Sequence, residues 1–94
     1  MSRHIRFTPS AWTTYVYWQT QDKKTLKRVN NLIDAACREP FEGIGKPEPL
    51  VGNLAGYWSR RIDDVNRLVY AVDDVDITVI SCRFHYDQIG RAHV

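Results

Sequence analysis

Along the first forty residues the apolar positions recur at the helical period, and along the last forty at the two-residue period of strands. His4 to Phe7 reads as a short first strand. Thr8-Pro9-Ser10 then supplies a helix start, because a threonine oxygen can accept from orphan N–H groups and proline at the first helical position gives up a donor that has no partner there. Trp12, Tyr15, Val16 and Gln19 follow at helical spacing, with Tyr17 and Trp18 broadening an aromatic face of the kind that more often builds a core than a binding site. Asp22 is placed to cap a second helix reaching about Arg38, in which Leu26, Val29, Ile33 and Ala36 or Cys37 recur on one side. Its other side carries Lys23, Lys24, Lys27 and Arg28, which suits a solvated surface or contact with RNA. Glu39-Pro40 ends it.

Residues 40 to 56 hold three of the four prolines and four of the five glycines, so they read as a long connection rather than an element. Connections of that length inside a compact domain tend to be functional or disordered. From Tyr57 the pattern alternates: Trp58 and Ile62 share one face of a strand, Leu68, Tyr70 and Val72 one face of the next, and Ile77 to Phe84 form a third. Short connections at 63 to 66 and 73 to 76 suit consecutive antiparallel hairpins. The expected architecture is therefore α+β, in the order β-α-α-β-β-β, with an antiparallel sheet and both helices packed on one of its faces.

Ninety-four residues make one domain, and 44% hydrophobic with 26% charged residues is an ordinary globular composition. No run approaches a membrane span, and the N-terminus lacks the apolar stretch of a signal peptide, which together point to the cytoplasm. Cys37 and Cys82 are far apart and His4, His85 and His93 are unclustered; buried reduced thiols and no metal site are the expectation. The net charge of +2 is too small to announce a nucleic-acid partner. Distribution says more: every lysine lies before position 50, and every basic residue after it is an arginine, whose planar fork matches phosphate oxygens in pairs. Those arginines have an alternative use, pairing with the nearby Asp63, Asp64, Asp73, Asp74 and Asp76.

Two clusters near the end, Gly56-Tyr57-Trp58-Ser59-Arg60-Arg61-Ile62 and Cys82-Arg83-Phe84-His85-Tyr86, bring arginines, a histidine and a tyrosine onto expected strands. Upstream, in Gly45-Lys46-Pro47-Glu48-Pro49-Leu50, two prolines fix φ on either side of Glu48 and hold it extended. A carboxylate, an imidazole and guanidiniums can cleave RNA without a metal.

With these segments the chain resembles the YoeB/Txe toxins, within the RelE/ParE superfamily of bacterial type II toxin-antitoxin systems. The resemblance spans residues 5 to 86, through Tyr17-Trp18-Gln19, Pro40-Phe41-Glu42-Gly43, Gly45 to Leu50, Tyr57 to Ile62, Arg67 to Ala71 and Arg83 to Tyr86. It implies a RelE-like fold and an mRNA interferase, that is, a ribosome-dependent endoribonuclease that cuts mRNA in the A site with no cofactor. It also implies neutralisation by a cognate YefM/Phd-type antitoxin, homodimer formation, and contact with operator DNA only through the antitoxin complex. Carried over residue by residue, the catalytic set is Glu48, Arg67, His85 and Tyr86, with Arg61 as an auxiliary phosphate contact and Arg60 and Lys46 beside it. The chemistry fits that division: attack by a 2′-OH on the adjacent phosphorus needs a base (Glu48), an acid on the leaving 5′-oxygen (His85) and positive charge on the phosphorane (Arg67, Arg61), while Tyr86 stacks on or orients a splayed nucleotide.

Two departures from the family pattern stand out. Residues 87 to 94 follow the tyrosine at which many members end, so the toxin domain is taken as 1 to 86 with a C-terminal extension, either a native tail or a cloning remnant. Asn66 stands where relatives commonly have histidine before the arginine. Two rival readings remain: a toxin-like binding module that engages ribosome, antitoxin or operator DNA without catalysis, and a gyrase-directed toxin like the ParE branch, which does not use this glutamate-arginine-histidine set.

Overall fold

The structure, a computed structural model, describes residues 2–84. Its elements are β1 (His4–Phe7), α1 (Pro9–Gln21), α2 (Lys23–Arg38), β2 (Glu48–Pro49), a single 3-10 turn (Gly52–Leu54), β3 (Tyr57–Arg61), β4 (Arg67–Val72) and β5 (Asp76–Ser81). The helices begin as the sequence suggests. Thr8 Oγ1 accepts from the Ala11 N–H at 3.1 Å with Pro9 next in line, and Asp22 accepts from the N–H groups of Lys24 and Thr25 at 3.0 and 3.3 Å. Asp22 also closes α1, since its own N–H donates to the Trp18 carbonyl, so one residue serves both helices of the hairpin.

The sheet order is β1-β5-β4-β3-β2. The α+β class and the order of the expected elements match expectation, with one correction, to the antiparallel sheet, and one added strand. β1 runs parallel to β5 while the other pairs are antiparallel, which makes the sheet mixed; a two-residue pattern reports a strand's faces and carries no information on its direction. And the stretch 40–56 contains β2, which adds to β3 as an edge strand. Proline is tolerated there because an edge strand can do without one donor.

The core lies between the helices and one sheet face, where Val29, Leu32, Ile33, Ala36 and Cys37 of α2 meet Leu68, Tyr70, Ile77 and Val79. Both thiols are free and buried, and burial pushes the Cys82 thiol up to about 11. The aromatic face of α1 divides: Trp18 enters the core, whereas Trp12 and Val16 are exposed. β5 stops at Ser81, short of the expected Phe84, and residues 82–84 leave the sheet under α1. There the Trp18 indole donates to the Cys82 carbonyl at 2.7 Å, Thr14 Oγ1 accepts the Cys82 N–H at 3.2 Å, and the Arg83 guanidinium lies 3.6 Å from the Tyr17 ring centre.

Arg60 of β3 is buried without a carboxylate. Its Nε donates to the Tyr70 hydroxyl (3.0 Å), Nη1 to the Ile44 carbonyl (3.0 Å), and Nη2 to the carbonyls of Glu42 (2.8 Å) and Glu39; the Tyr70 hydroxyl in turn donates to the Pro40 carbonyl (2.6 Å). Four carbonyls of the 39–44 segment are thus tied to the sheet. Gly45 completes the seal: its φ is +83°, and a Cβ there would lie 2.6 Å from a Leu32 methyl, so only glycine fits.

Two expectations follow. Arg60→Met leaves three carbonyls without their donor and takes one donor from the Tyr70 hydroxyl, and should lower unfolding stability by about 3 kcal/mol or more, read from urea denaturation; an unchanged midpoint contradicts the assignment. Asp22, Asp63 and Asp73 are all held below the ordinary carboxylate value of 3.8, Asp22 chiefly by the Thr25 hydroxyl and Asp73 chiefly by the Asp76 N–H. At Asp63 burial pushes upward, but the Asn66 N–H and side-chain amide, the Val65 N–H and the nearby Arg67 guanidinium outweigh it. A depressed carboxylate contributes stability that is complete above its unfolded value and is lost as the pH falls through its folded value. The melting temperature should therefore drop as the pH is taken below about 4, and less steeply in Asp63→Asn.

Candidate functional site

Because both helices cover the same side of the sheet, the other side is left for function. Strand alternation assigns the residues. On β3, Trp58 and Arg60 turn toward the helices, and Tyr57, Ser59 and Arg61 turn away; on β4, Arg67 and Val69 belong to this second face. The register then sets Glu48 opposite Ser59, Ser59 opposite Val69, and Arg61 opposite Arg67. Glu48 is one strand away from Arg61 and two from Arg67. Strand spacing and rise put its Cα about 12 Å from that of Arg67. A small apolar floor of Leu50, Leu54 and Val69, with Tyr57 and Ile80 against it, supports this face.

Two arginines directly opposed on one sheet face repel each other. Among the described residues no carboxylate forms an ion pair with either of them. Of the aspartates that the sequence offered as partners, Asp76 takes Arg6 and His4, each at 3.6 Å, the Asp73 carbonyl takes Arg3, and the Asp63 carboxylate accepts the N–H groups of its own turn. Arg67, only 9% exposed, is seated by Nη1 donating to the carbonyls of Asp63 (2.6 Å) and Asn66 (3.0 Å), which leaves its Nε and Nη2 for a ligand. Arg61 is exposed, its backbone clamped from both sides: its N–H donates to the Gly45 carbonyl and its own carbonyl accepts from Arg28 at 3.0 Å.

The expected site residues thus fall into three groups. Glu48, Arg61 and Arg67 share one face, and Lys46, exposed and in the left-handed region at φ 51°, stands at its rim two residues from Glu48. Arg60 requires a correction: alternation sends it into the core, all three of its guanidinium nitrogens are bonded to protein oxygens, and it reaches no phosphate. His85 and Tyr86 lie outside the described residues. Phe84, the residue before them, is fastened beside Arg67, its N–H donating to Asn66 Oδ1 at 2.7 Å and its carbonyl accepting the Arg67 N–H at 3.0 Å.

The sequence marks 63–66 only as a connection, whereas the structure makes the Asp63–Asn66 turn part of the site's frame. Its signal was an aspartate at the head of a hairpin turn, whose carboxylate captures the N–H groups two and three residues on. Among the described residues, no three histidine, cysteine or acidic side chains are grouped to hold a metal ion. The surface hollows beside α2, one lined by Phe7, Trp12 and Tyr15 and another by Arg38, Glu39 and Glu42, include none of the expected site residues.

Comparison with known proteins matches this chain, over residues 7–86, to the family described as YoeB-like toxin of bacterial type II toxin-antitoxin system. Toxin YoeB of Synechocystis sp. is 58% identical over 84 residues, covering 89% of this chain and 98% of that protein. The YoeB dimer from Staphylococcus aureus is similar with a TM-score of 0.83 at 48% identity, covering 92% of this chain and 100% of the other. The heterotetrameric YoeB-YefM toxin-antitoxin complex from Staphylococcus aureus is similar with a TM-score of 0.81, at the same identity and coverage. A family match across nearly the whole domain, on a sheet that sets a glutamate and two facing arginines on its open side, leaves one conclusion: the chain belongs to the YoeB-like toxins of bacterial type II toxin-antitoxin systems.

Proposed function

We propose that this toxin is a metal-independent endoribonuclease that cuts mRNA in the ribosomal A site and so blocks translation. The observation that carries the reading is the facing pair Arg61 and Arg67, with no carboxylate paired to either among the described residues, on the same sheet face as Glu48. A phosphodiester between the two guanidiniums relieves their repulsion, and the relief grows as negative charge accumulates on the phosphorane. Glu48 takes the proton from the 2′-OH, the 2′-oxygen forms its bond to phosphorus, and the bond to the 5′-oxygen breaks as His85 supplies a proton to it. The products are a 2′,3′-cyclic phosphate and a 5′-hydroxyl. Tyr86 stacks on or orients the nucleotide, Lys46 adds charge at the rim, and no cofactor enters.

The partners follow from the same reading. A cognate YefM/Phd-type antitoxin covers the arginine face, and operator DNA is met only through that complex; the toxin alone forms a homodimer, as the Staphylococcus aureus protein does. The site of action is the ribosome in the cytoplasm. No helix among the described residues is long and apolar enough to cross a membrane.

Primer extension on mRNA held in purified ribosomes tests the proposal. The wild-type protein should produce A-site cuts, and Glu48→Ala and His85→Ala should each slow them by about 10² to 10⁴-fold. Arg67→Ala should lose a comparable factor. Cleavage by Glu48→Ala and His85→Ala within about threefold of wild type sinks the role assignment; intact mRNA with translation still blocked favours a binding inhibitor instead.

A further inference from the structure

The turn between β3 and β4 is wired to the end of the described chain. Asp63 Oδ1 accepts the N–H groups of Val65 (2.9 Å) and Asn66 (2.7 Å), and both carboxylate oxygens accept from Asn66 Nδ2, at 3.2 and 3.1 Å. That fixes which way the Asn66 amide faces, because the reverse orientation would set its oxygen against a carboxylate and its nitrogen against an N–H. The amide oxygen therefore points at Phe84 and accepts its N–H at 2.7 Å. Phe84 sits at φ 71°, in the left-handed region that aromatic residues rarely adopt. Such a conformation persists only where the surroundings over-determine it. Here they are the Asn66 amide on the Phe84 N–H, the Arg67 N–H on its carbonyl, and the Arg83 guanidinium, which lies 3.6 Å from the Tyr17 ring centre and 4.4 Å from that of Phe84. The same turn seats the Arg67 guanidinium through the carbonyls of Asp63 and Asn66.

We propose that Asn66 is a positioning residue for RNA cleavage: its amide, oriented by Asp63, locks Phe84 against β4 and so sets where the chain delivers His85 relative to Arg67. This rests on the nuclease reading above. Asn66 touches neither the phosphate nor the attacking hydroxyl in that reading, so its loss should act on the rate of the bound complex and leave binding nearly alone.

The test is single-turnover cleavage of ribosome-held mRNA, giving a maximal rate and a half-saturating toxin concentration, with the folded fraction read by circular dichroism in the same buffer. Asn66→Ala and Asn66→Asp should each lower the maximal rate about tenfold to a hundredfold, with half-saturation moving less than about threefold. Asn66→Asp keeps an acceptor for Phe84 but sets two carboxylates against each other. Combining it with Asp63→Asn restores the pair with donor and acceptor exchanged: the new amide at 63 keeps an oxygen for the turn N–H groups and offers its nitrogen to position 66. The double variant should recover to within about threefold of wild type, a rescue expected only if the two side chains act together. Single variants that cut within about twofold of wild type overturn the proposal, as does a loss that tracks the unfolded fraction or is not relieved in the double variant. A wild-type chain that leaves mRNA intact overturns the nuclease reading and this proposal together, which separates the two failures.

Discussion

The structure depends on one charge placed where water cannot reach it. Taking a guanidinium out of water costs several kcal/mol, and Arg60 offsets that cost with carbonyl oxygens and a phenol in place of a carboxylate. Three of the four acceptors belong to a segment with no ladder of its own, the 39–44 stretch; the fourth is the Tyr70 hydroxyl of β4. Without the guanidinium these carbonyls would face a core with nothing to accept from, and the segment would have no reason to lie against α2. With it, the stretch is bound nearly as firmly as a strand. Arg61 follows immediately, its N–H on the Gly45 carbonyl, so Glu48 and Arg61 are anchored to a common frame.

A second set of contacts does the same for the other end of the chain. Ser81 bonds within its own turn, Cys82 is held by Thr14 and Trp18, Arg83 stacks on Tyr17, and Phe84 is bonded to Asn66 and Arg67. Three successive residues, 82 to 84, are fixed after the sheet has ended, by α1 on one side and the β3–β4 turn on the other. The Tyr17-Trp18 pair accordingly serves the C-terminal segment as much as the core. The sheet is divided between tasks: its helix side supplies stability, and its open side keeps charges apart that would otherwise neutralise one another.

Periodicity disclosed the helices, their caps at Thr8 and Asp22, and the three-stranded meander, because each is a local property of the chain. It could not disclose the direction of β1, which depends on a partner seventy-odd positions away. β2 was hidden by the prolines that also make it a good edge. For the site, the resemblance named Glu48, Arg61 and Arg67, and alternation alone could have separated Arg60 from Arg61, since neighbours on a strand face opposite ways. Counting both as phosphate contacts treated as a cluster what the backbone splits. The Trp12 and Trp18 difference is of another kind: on an all-aromatic helix the pattern is too rich to say which ring faces inward, and only the packing against Cys82 decides. Asn66 looked like a departure from family pattern and proves to be the hinge of a hydrogen-bond relay.

In the sheet order β5, the last strand among the described residues, lies between β1 and β4. During synthesis, β3 and β4 emerge as a bare hairpin whose inner partner is still inside the ribosome, and β1 waits alone with no neighbour to pair with. Closure requires the final strand to slot into the middle, so the molecule assembles in one late, non-local step. A chain that stalls before position 81 has neither a closed sheet nor the clasp at Phe84. The topology therefore makes completion of the sheet all-or-none, because a copy cut short before β5 lacks the one strand that joins β1 to the β4–β3–β2 side.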